Sequence, residues 1–446
     1  MKQGLYLFLL FFGLGGICQG QESFLGIQNS QRKGMINAMM NPAELNHLHK
    51  KVEVSFFAVG ETLDNNVLSF QDMLSDFNQF ESIFARISEP VNVRTDFTVM
   101  GPSVGIRLKK WSLGFTSQAR AKVDVIDFNP KLGDAIVNET TASGTNQTQL
   151  DLPYNQRINA VGWLELGLMA GTSIWETETQ SLSLGGHFKV LFPGTYANLG
   201  LDQIQATLLT GPDQIRLSNA RGILNLSYDD RWDINRNGGL GFDTDLWSGF
   251  SPRGFAVDLG ANYLINRNGR RFLNLGMSLK NLGAMTTASS QITRNYQIDI
   301  GQSESFRIDN LAGSVEEIEQ QLVNSGFFSV SREQTATRIH LPQQLAAYVE
   351  FSPVRHFQVA VYGQKRIDDE SRNRQLSAPD LLVITPRFIA GKLEIYSPWM
   401  HHQVSGLAGG LGIQFGGFFV GSQSLITGLL ADSSRLDVHA GLSWGF

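Results

Sequence analysis

The chain of 446 residues contains a single cysteine, Cys18, and that residue lies in a leader-like start. Lys2 precedes an apolar stretch from Leu5 to Ile17, and small residues follow near Gly20. This is the pattern of a secretory signal peptide over residues 1–20, cleaved close to Gln21. Ile17 is not the small residue that a lipoprotein signal places before its cysteine. The mature chain is therefore expected to hold no disulfide, thiolate metal site or cysteine nucleophile. Charge is also sparse. Asp, Glu, Lys and Arg make up 17% of the residues, and the formal net charge of −5 gives no basic footprint for nucleic acid. Beyond the leader no window reaches about 18 consecutive apolar residues, so no membrane-spanning helix is expected. Phosphate loops, dinucleotide fingerprints and zinc spacings are absent as well.

What is abundant is glycine, with 46 residues, and phenylalanine, with 29. Both suit closely packed, twisted strands. Several segments alternate with period two. Leu182, Leu184, Phe188, Val190 and Phe192 share one face, and Ser181, Ser183, His187 and Lys189 the other. Phe255, Val257, Leu259, Ala261, Tyr263 and Ile265 oppose Asp258, Gly260 and Asn262. Leu273, Leu275, Met277 and Leu279 oppose Asn274, Ser278 and Lys280. A soluble β-sandwich uses strands of about 5–6 residues, whereas a strand crossing a membrane needs about 9–11. These runs fit the longer class. Their polar faces suit a wet lumen, and Trp111, Phe192, Trp399 and Trp444 stand near strand ends as interfacial aromatics do.

Candidate strands run near 51–60, 94–108, 110–123, 156–170, 180–193, 215–229, 253–267, 271–283, 291–308, 343–353, 355–367, 381–390, 391–398, 404–415, 417–424 and 436–446. Some are bent halves of one strand or lie in loops, and transmembrane barrels prefer an even number. The expectation is an all-β, transmembrane antiparallel barrel of 14 strands, with 12 to 16 as the range. Two insertions carry helical spacing instead. Near 68–89, Phe70, Met73, Leu74, Phe77, Phe80, Ile83, Phe84 and Ile87 share a face before the stop at Pro90. Near 312–325, Ser314 and Glu317 stand at capping-box spacing ahead of Ile318 and Leu322.

Candidate chemistry is thin. Gly441-Leu442-Ser443-Trp444-Gly445 matches the G-x-S-x-G nucleophile elbow. That elbow needs a helix after the serine, and only three residues, Trp444, Gly445 and Phe446, follow Ser443. His439 lies on the same face about 13 Å away by strand rise. No catalytic residue is assigned and no enzyme is expected. Asp233, Asn235, Asn237 and Gly238 fit the front of a calcium loop, but its twelfth position is Thr244 rather than a bidentate glutamate. Calcium is the only cofactor considered. His401-His402 reads as a strand end rather than a metal pair, and "KRIDDESRNR" (365–374) as a solvated hairpin loop.

At "INAMMNPAEL", Asn41-Pro42-Ala43 precedes the first strand. Pro42 has no amide to donate and Asn41 favours a turn, which suits a compact plug. This start resembles the long-chain fatty acid transporter family of outer-membrane barrels and the related barrel of the type IX secretion apparatus. "GFAVDLGANYLI", "LGMSLKNLGAM", "LPQQLAAYVEFSP" and "SRLDVHAGLSWGF" resemble a closer group of such barrels, a domain-of-unknown-function family. The resemblance spans residues 24–446. It implies a plug motif at Asn41, Pro42 and Ala43 inside a 14-stranded barrel. Glu44 departs from the apolar or glycine residue expected there. The resulting organisation is a signal peptide (1–20), a plug (21–50) and a barrel (51–446) in the cell outer membrane of a Gram-negative bacterium. Leu442, Trp444 and Phe446 form the C-terminal signature for barrel-assembly machinery and face lipid. The expected function is passive uptake of a small hydrophobic ligand. The alternative is a barrel for partner docking or surface attachment, such as a secretion-system accessory subunit. A soluble periplasmic β-protein is a third reading.

Overall fold

The computed structural model describes residues 24–446 apart from 33, 70–71, 73–86, 138–145, 212–213, 230–232, 235–239, 242–250, 310 and 312–313. Fourteen antiparallel strands close into a barrel. They are β1 (Val52–Asn65), β2 (Val91–Met100, resuming as Ser103–Leu108), β3 (Trp111–Phe128), β4 (Gln156–Glu176), β5 (Gln180–Gly211), β6 (Gly254–Arg267) and β7 (Arg270–Thr286). The circuit continues through β8 (Arg338–His340 with Gln344–Val354), β9 (Phe357–Arg366), β10 (Leu381–Ala390), β11 (Leu393–Tyr396 with Trp399–His402), β12 (Gly406–Gly409 with Leu411–Phe415), β13 (Phe418–Ser422) and β14 (Arg435–Gly445). β14 pairs with β1 from Glu53↔Gly445 to Asp64↔Arg435, so no edge is left open.

The alternation in the sequence sorts residues as the pleat requires. Along β6, Phe255 and Leu259 point outward at 63% and 50% exposure, while Asp258 and Asn262 point inward and are buried. Leu113, Leu168, Phe188, Met277, Leu382, Leu407, Phe415 and Trp444 extend this exposed apolar band around the barrel. On β14, Trp444 and Phe446 are exposed, Leu442 is half-buried on the same side, and His439 and Ser443 face inward. The tight β2–β3, β4–β5, β6–β7, β8–β9, β10–β11 and β12–β13 connections share one end with the start of β1 and the end of β14, here called the turn end. The other is the loop end.

The candidate strands near 215–229 and 291–308 are real but do not line the barrel wall. The strand Gln214–Asp229 pairs with the far half of β5 and with Gln291–Arg307, which in turn pairs with Phe328–Thr335. Asn146–Leu152 joins the other side of β5. Together they build a second storey at the loop end around its own apolar cluster, including Phe128, Leu208, Tyr296 and Phe328. The capping-box expectation holds: helix Val315–Asn324 starts at Ser314, whose side chain accepts from Glu317 N, with the reciprocal bond from Ser314 N to Glu317. Glu319 of this helix is buried and accepts from Tyr228 Oη at 2.7 Å. Most of the insertion near 68–89, the calcium-like loop beyond the short pair Asp233–Ile234 and Leu240–Gly241, and the leader lie outside the described residues. No helix among the described residues is long and apolar enough to cross a membrane.

Candidate functional site

The interior of the barrel is occupied by the chain's own N-terminal segment. Residues 24–48 fold as two 3-10 turns, Ile27–Asn29 and Pro42–His47, flanking helix Gly34–Met40. Asn41 caps the second turn, its Oδ1 accepting from Ala43 N at 3.0 Å, and Pro42 occupies the first position where a missing amide costs nothing. Asn41 Nδ2 also donates to Ala261 O at 2.9 Å and to Tyr348 Oη at 3.1 Å. Asn41, Pro42 and Ala43 are all buried. The wall is carved to receive them. A Cβ at Gly260 would stand 1.9 Å from Asn41 Oδ1, and one at Gly185 would stand 2.3 Å from the Pro42 carbonyl carbon. Only glycine permits that approach.

Glu44, the residue out of pattern, is the strongest tie. Its Oε1 accepts from Asn262 Nδ2 and Asn274 Nδ2, each at 2.8 Å, and from the Tyr348 hydroxyl. Arg271 stands 4.0 Å from its other oxygen and donates to His47 O. Further bonds join Asn29 to Glu350 at 3.2 Å, Ser30 to Glu394 at 2.9 Å, Gly34 N to Glu53 at 3.0 Å and Ser278 to Met40 O at 3.0 Å. Burial, reinforced by Arg271 and Arg107 and opposed by Glu44, pushes the His47 imidazole down to about 4.

The loop end is closed too. The expectation of a solvated loop over 365–374 holds for its surface, with Lys365, Ile367, Asp369, Ser371 and Arg372 exposed and none of the ten buried, and the structure adds ties from Glu370 and Asn373 to the wall. Residues 367–380 cross the mouth, with Leu376, Ser377 and Ala378 buried. Glu370 forms ion pairs with Arg94 of β2 and Arg366 of β9. Tyr196 Oη of β5 donates to Asn373 O at 2.6 Å, and Asn155 Nδ2 donates to Asn373 Oδ1 at 2.9 Å. Arg366 is four residues from Glu370, whereas Arg94, Asn155 and Tyr196 are remote in sequence, so no local pattern announces their contacts. Glu370 answers Arg94 on the wall, while Asp369 and Arg372 are exposed and pair with each other at 3.1 Å.

Between plug and wall lies a cavity of only about 30 Å³, lined by Phe24, Leu25, Ile36, Met39 and Met40 from the plug and by Asp96, Arg120 and Lys280 from the wall. That space holds no more than a few waters. The wall is cross-linked: Lys122 Nζ donates to Asp96 at 2.5 Å, Arg120 reaches Asp96 at 3.7 Å and Glu165 at 3.6 Å, and Lys189 lies 2.9 Å from Asp258.

One arrangement has the order of a hydrolase relay: Thr116 Oγ1 lies 3.0 Å from His187 Nε2, and His187 Nδ1 lies 3.2 Å from Asp258 Oδ2. Gly167, between Thr116 and His187, leaves them room to meet. All three are buried, Asp258 is shared with Lys189, and the plug packs on β5 at Gly185. The chain's hydroxyl, imidazole and carboxylate here hold the wall together. Ser443 pairs across the seam with Ser55 of β1. His439, its would-be base, instead meets Tyr396 Oη at 2.7 Å. His401 is exposed and His402 buried, on opposite faces of β11, so the two do not converge on a metal. Among the described residues no cluster of three or more His, Cys, Asp or Glu could hold a metal ion. Of the calcium-loop residues, Asp233 falls in a short strand, and Asn235 and Asn237 lie outside the described residues.

Comparison with known proteins gives a family and a general likeness. The model described as "Family of unknown function (DUF5723)" matches residues 42–423. No curated protein matches the chain. Among solved structures, the toluene transporter TbuX of Ralstonia pickettii is similar at TM-score 0.43 and 10% identity, covering 92% of this chain and 93% of that one. A TodX monoaromatic hydrocarbon channel mutant is similar at TM-score 0.45 and 9% identity, covering 92% and 94%. The translocator domain of the autotransporter NalP from Neisseria meningitidis is similar at TM-score 0.35 and 8% identity, covering 92% and 94%.

Proposed function

The chain belongs to this family of unknown function, and we propose that it spans the cell outer membrane as a doubly gated uptake barrel. The exposed apolar band would face lipid, the turn end the periplasm and the loop end the exterior. Leu442, Trp444 and Phe446 would serve as the C-terminal signature for assembly, on the strand that closes the barrel.

The observation that carries the uptake reading is the character of the plug. It is tied to the wall by polar bonds and by apolar packing, Phe24 and Met39 clustering with Met100, Tyr396 and Phe419 and Leu25 and Met40 with Tyr362 and Val383, and it also turns Phe24, Leu25, Ile36, Met39 and Met40 toward the chamber. Ligand sites are usually about 300–1,000 Å³, so a chamber of about 30 Å³ is a closed state. Passage then requires both plug and lid to move. The ligand that fits an apolar floor with charged walls is a small amphiphile, which narrows the expected hydrophobic ligand. The test is uptake of a fluorescent amphiphile into proteoliposomes, preceded by heat-modifiable gel migration and outer-membrane fractionation. Recovery from the soluble periplasm removes the barrel-in-membrane reading. Absence of flux in a variant with both gates loosened removes uptake.

A docking role is favoured by one observation, the storey at the loop end with its own apolar cluster. A pore needs no such structure. A stable stoichiometric partner together with zero flux would decide for docking.

A further inference from the structure

A second cavity opens beneath the plug at the turn end and is far larger, about 460 Å³. Its walls come from the turns after β2 and β4 and from the β6–β7 hairpin, and the last turn of the plug roofs it. The ionisable groups on its lining are His47, Arg107, Lys109 and Arg271 against one carboxylate, Glu176. Neither Arg107 nor Lys109 forms an ion pair among the described residues, and His47 Nε2 is buried with no hydrogen-bond partner. Arg271 is the one cation already engaged, through His47 O and Glu44. Arg107 and Lys109 are exposed at the rim of this cavity and Arg271 is half-buried on its wall, so their like charges converge on one space and attract an anion to it. Guanidinium forks on such a wall match a tetrahedral oxyanion. The polar lining, with Ser173, Gln180 and Asn266 beside the charges, supplies further donors.

We propose that this cavity is a binding site for a phosphate-class oxyanion, and that its occupancy holds the plug shut. The site is shared between barrel and plug. It is complete only while His47 sits at its roof, so the anion binds the docked state and drops in affinity when the plug leaves. By mass action, free anion at ten times Kd then lowers the open population by about 11-fold. The lock rests on the reading of the plug as a moving gate, whereas the site does not.

The test uses the full chain in an uncharged detergent, with inorganic phosphate as the probe. Isothermal titration should show one saturable site, weakened at least tenfold by the double substitution Arg107→Ala/Lys109→Ala. Plug opening is read separately by maleimide labelling of Met39→Cys in a Cys18→Ser background, which is otherwise free of cysteine. Phosphate should slow that labelling in the parent and not in the double variant. No binding to the parent, or binding unchanged by the double substitution, overturns the site. Binding with labelling that ignores phosphate keeps the site and overturns the lock. Labelling that never occurs, with binding intact, removes the moving gate instead. Repeating the labelling in phosphatidylglycerol vesicles assigns the source: protection without added phosphate means a lipid headgroup, and protection only on addition means a soluble anion.

Discussion

Glu44 gathers three donors on one oxygen inside the barrel. Hydrogen bonds to a charged group contribute about 1.5–3 kcal/mol each, and unpartnered buried donors cost a similar amount. Glu44→Ala should therefore weaken plug docking by several kcal/mol, read as faster maleimide labelling of the plug with the barrel still heat-modifiable. Unchanged labelling would show that Glu44 is not an anchor. Gly260→Leu should expel Asn41 by collision and give the same readout, with Gly260→Ala intermediate. His47 makes docking depend on pH. Its docked value, about 4, lies below the ordinary 6.5, so the released plug binds the proton more tightly. Docking should be strongest above pH 6.5 and should weaken as pH falls from there toward 4. The groups facing this imidazole are Glu44, Arg271, Arg107 and Asn262. His47→Asn should flatten the labelling profile across that window, and a profile the substitution leaves unaltered would assign the pH response elsewhere.

Elements at the loop end are held by local rules and by a few remote contacts. The helix Val315–Asn324 has both, a capping box at Ser314 and a buried Glu319 gripped by Tyr228, Tyr296 and Arg294. Ser314→Ala should cost about 1 kcal/mol of local stability, read as faster amide exchange confined to this helix. Glu319→Ala strands two tyrosine hydroxyls and leaves Arg294 only Glu333, so it should release the helix to protease while the barrel survives. If Glu319→Ala leaves the helix as resistant as in the parent, the helix is held by its cap alone. The cap was legible in the sequence because its partners are three residues apart. The grip on Glu319 was not, since Tyr228 and Tyr296 reach it from strands whose pairing no local pattern encodes.

At the scale of the molecule, plug and lid stand in series, which makes their effects non-additive. Removing the Glu370 contacts by Glu370→Ala should leave conductance near zero, because the plug still fills the barrel. Glu44→Ala alone should also leave it low beneath the lid. The double substitution should raise single-channel conductance well beyond the sum of the two. A full opening by either single change would mean that one gate suffices.

Period-two alternation by itself determined the barrel and the inward and outward faces of its strands, because a pleated strand turns successive side chains to opposite sides whatever it pairs with. The local chemistry of Asn41-Pro42-Ala43 also marked a turn, since Asn41 favours one and Pro42 lacks the donor a central strand needs. It could not reveal why Glu44 belongs beside that turn. Asn262, Asn274 and Tyr348 look like ordinary inward polar residues until β6, β7 and β8 lie side by side. Tertiary structure alone decided that the segment 375–379 after the charged run is buried, that Gly185 and Gly260 seat the plug, and that His47, Arg107, Lys109 and Arg271 share one cavity. The physical reason is that a closed barrel brings distant strands to face one another across its lumen. A side chain there finds its partner through the curvature of the sheet, which sequence spacing does not record.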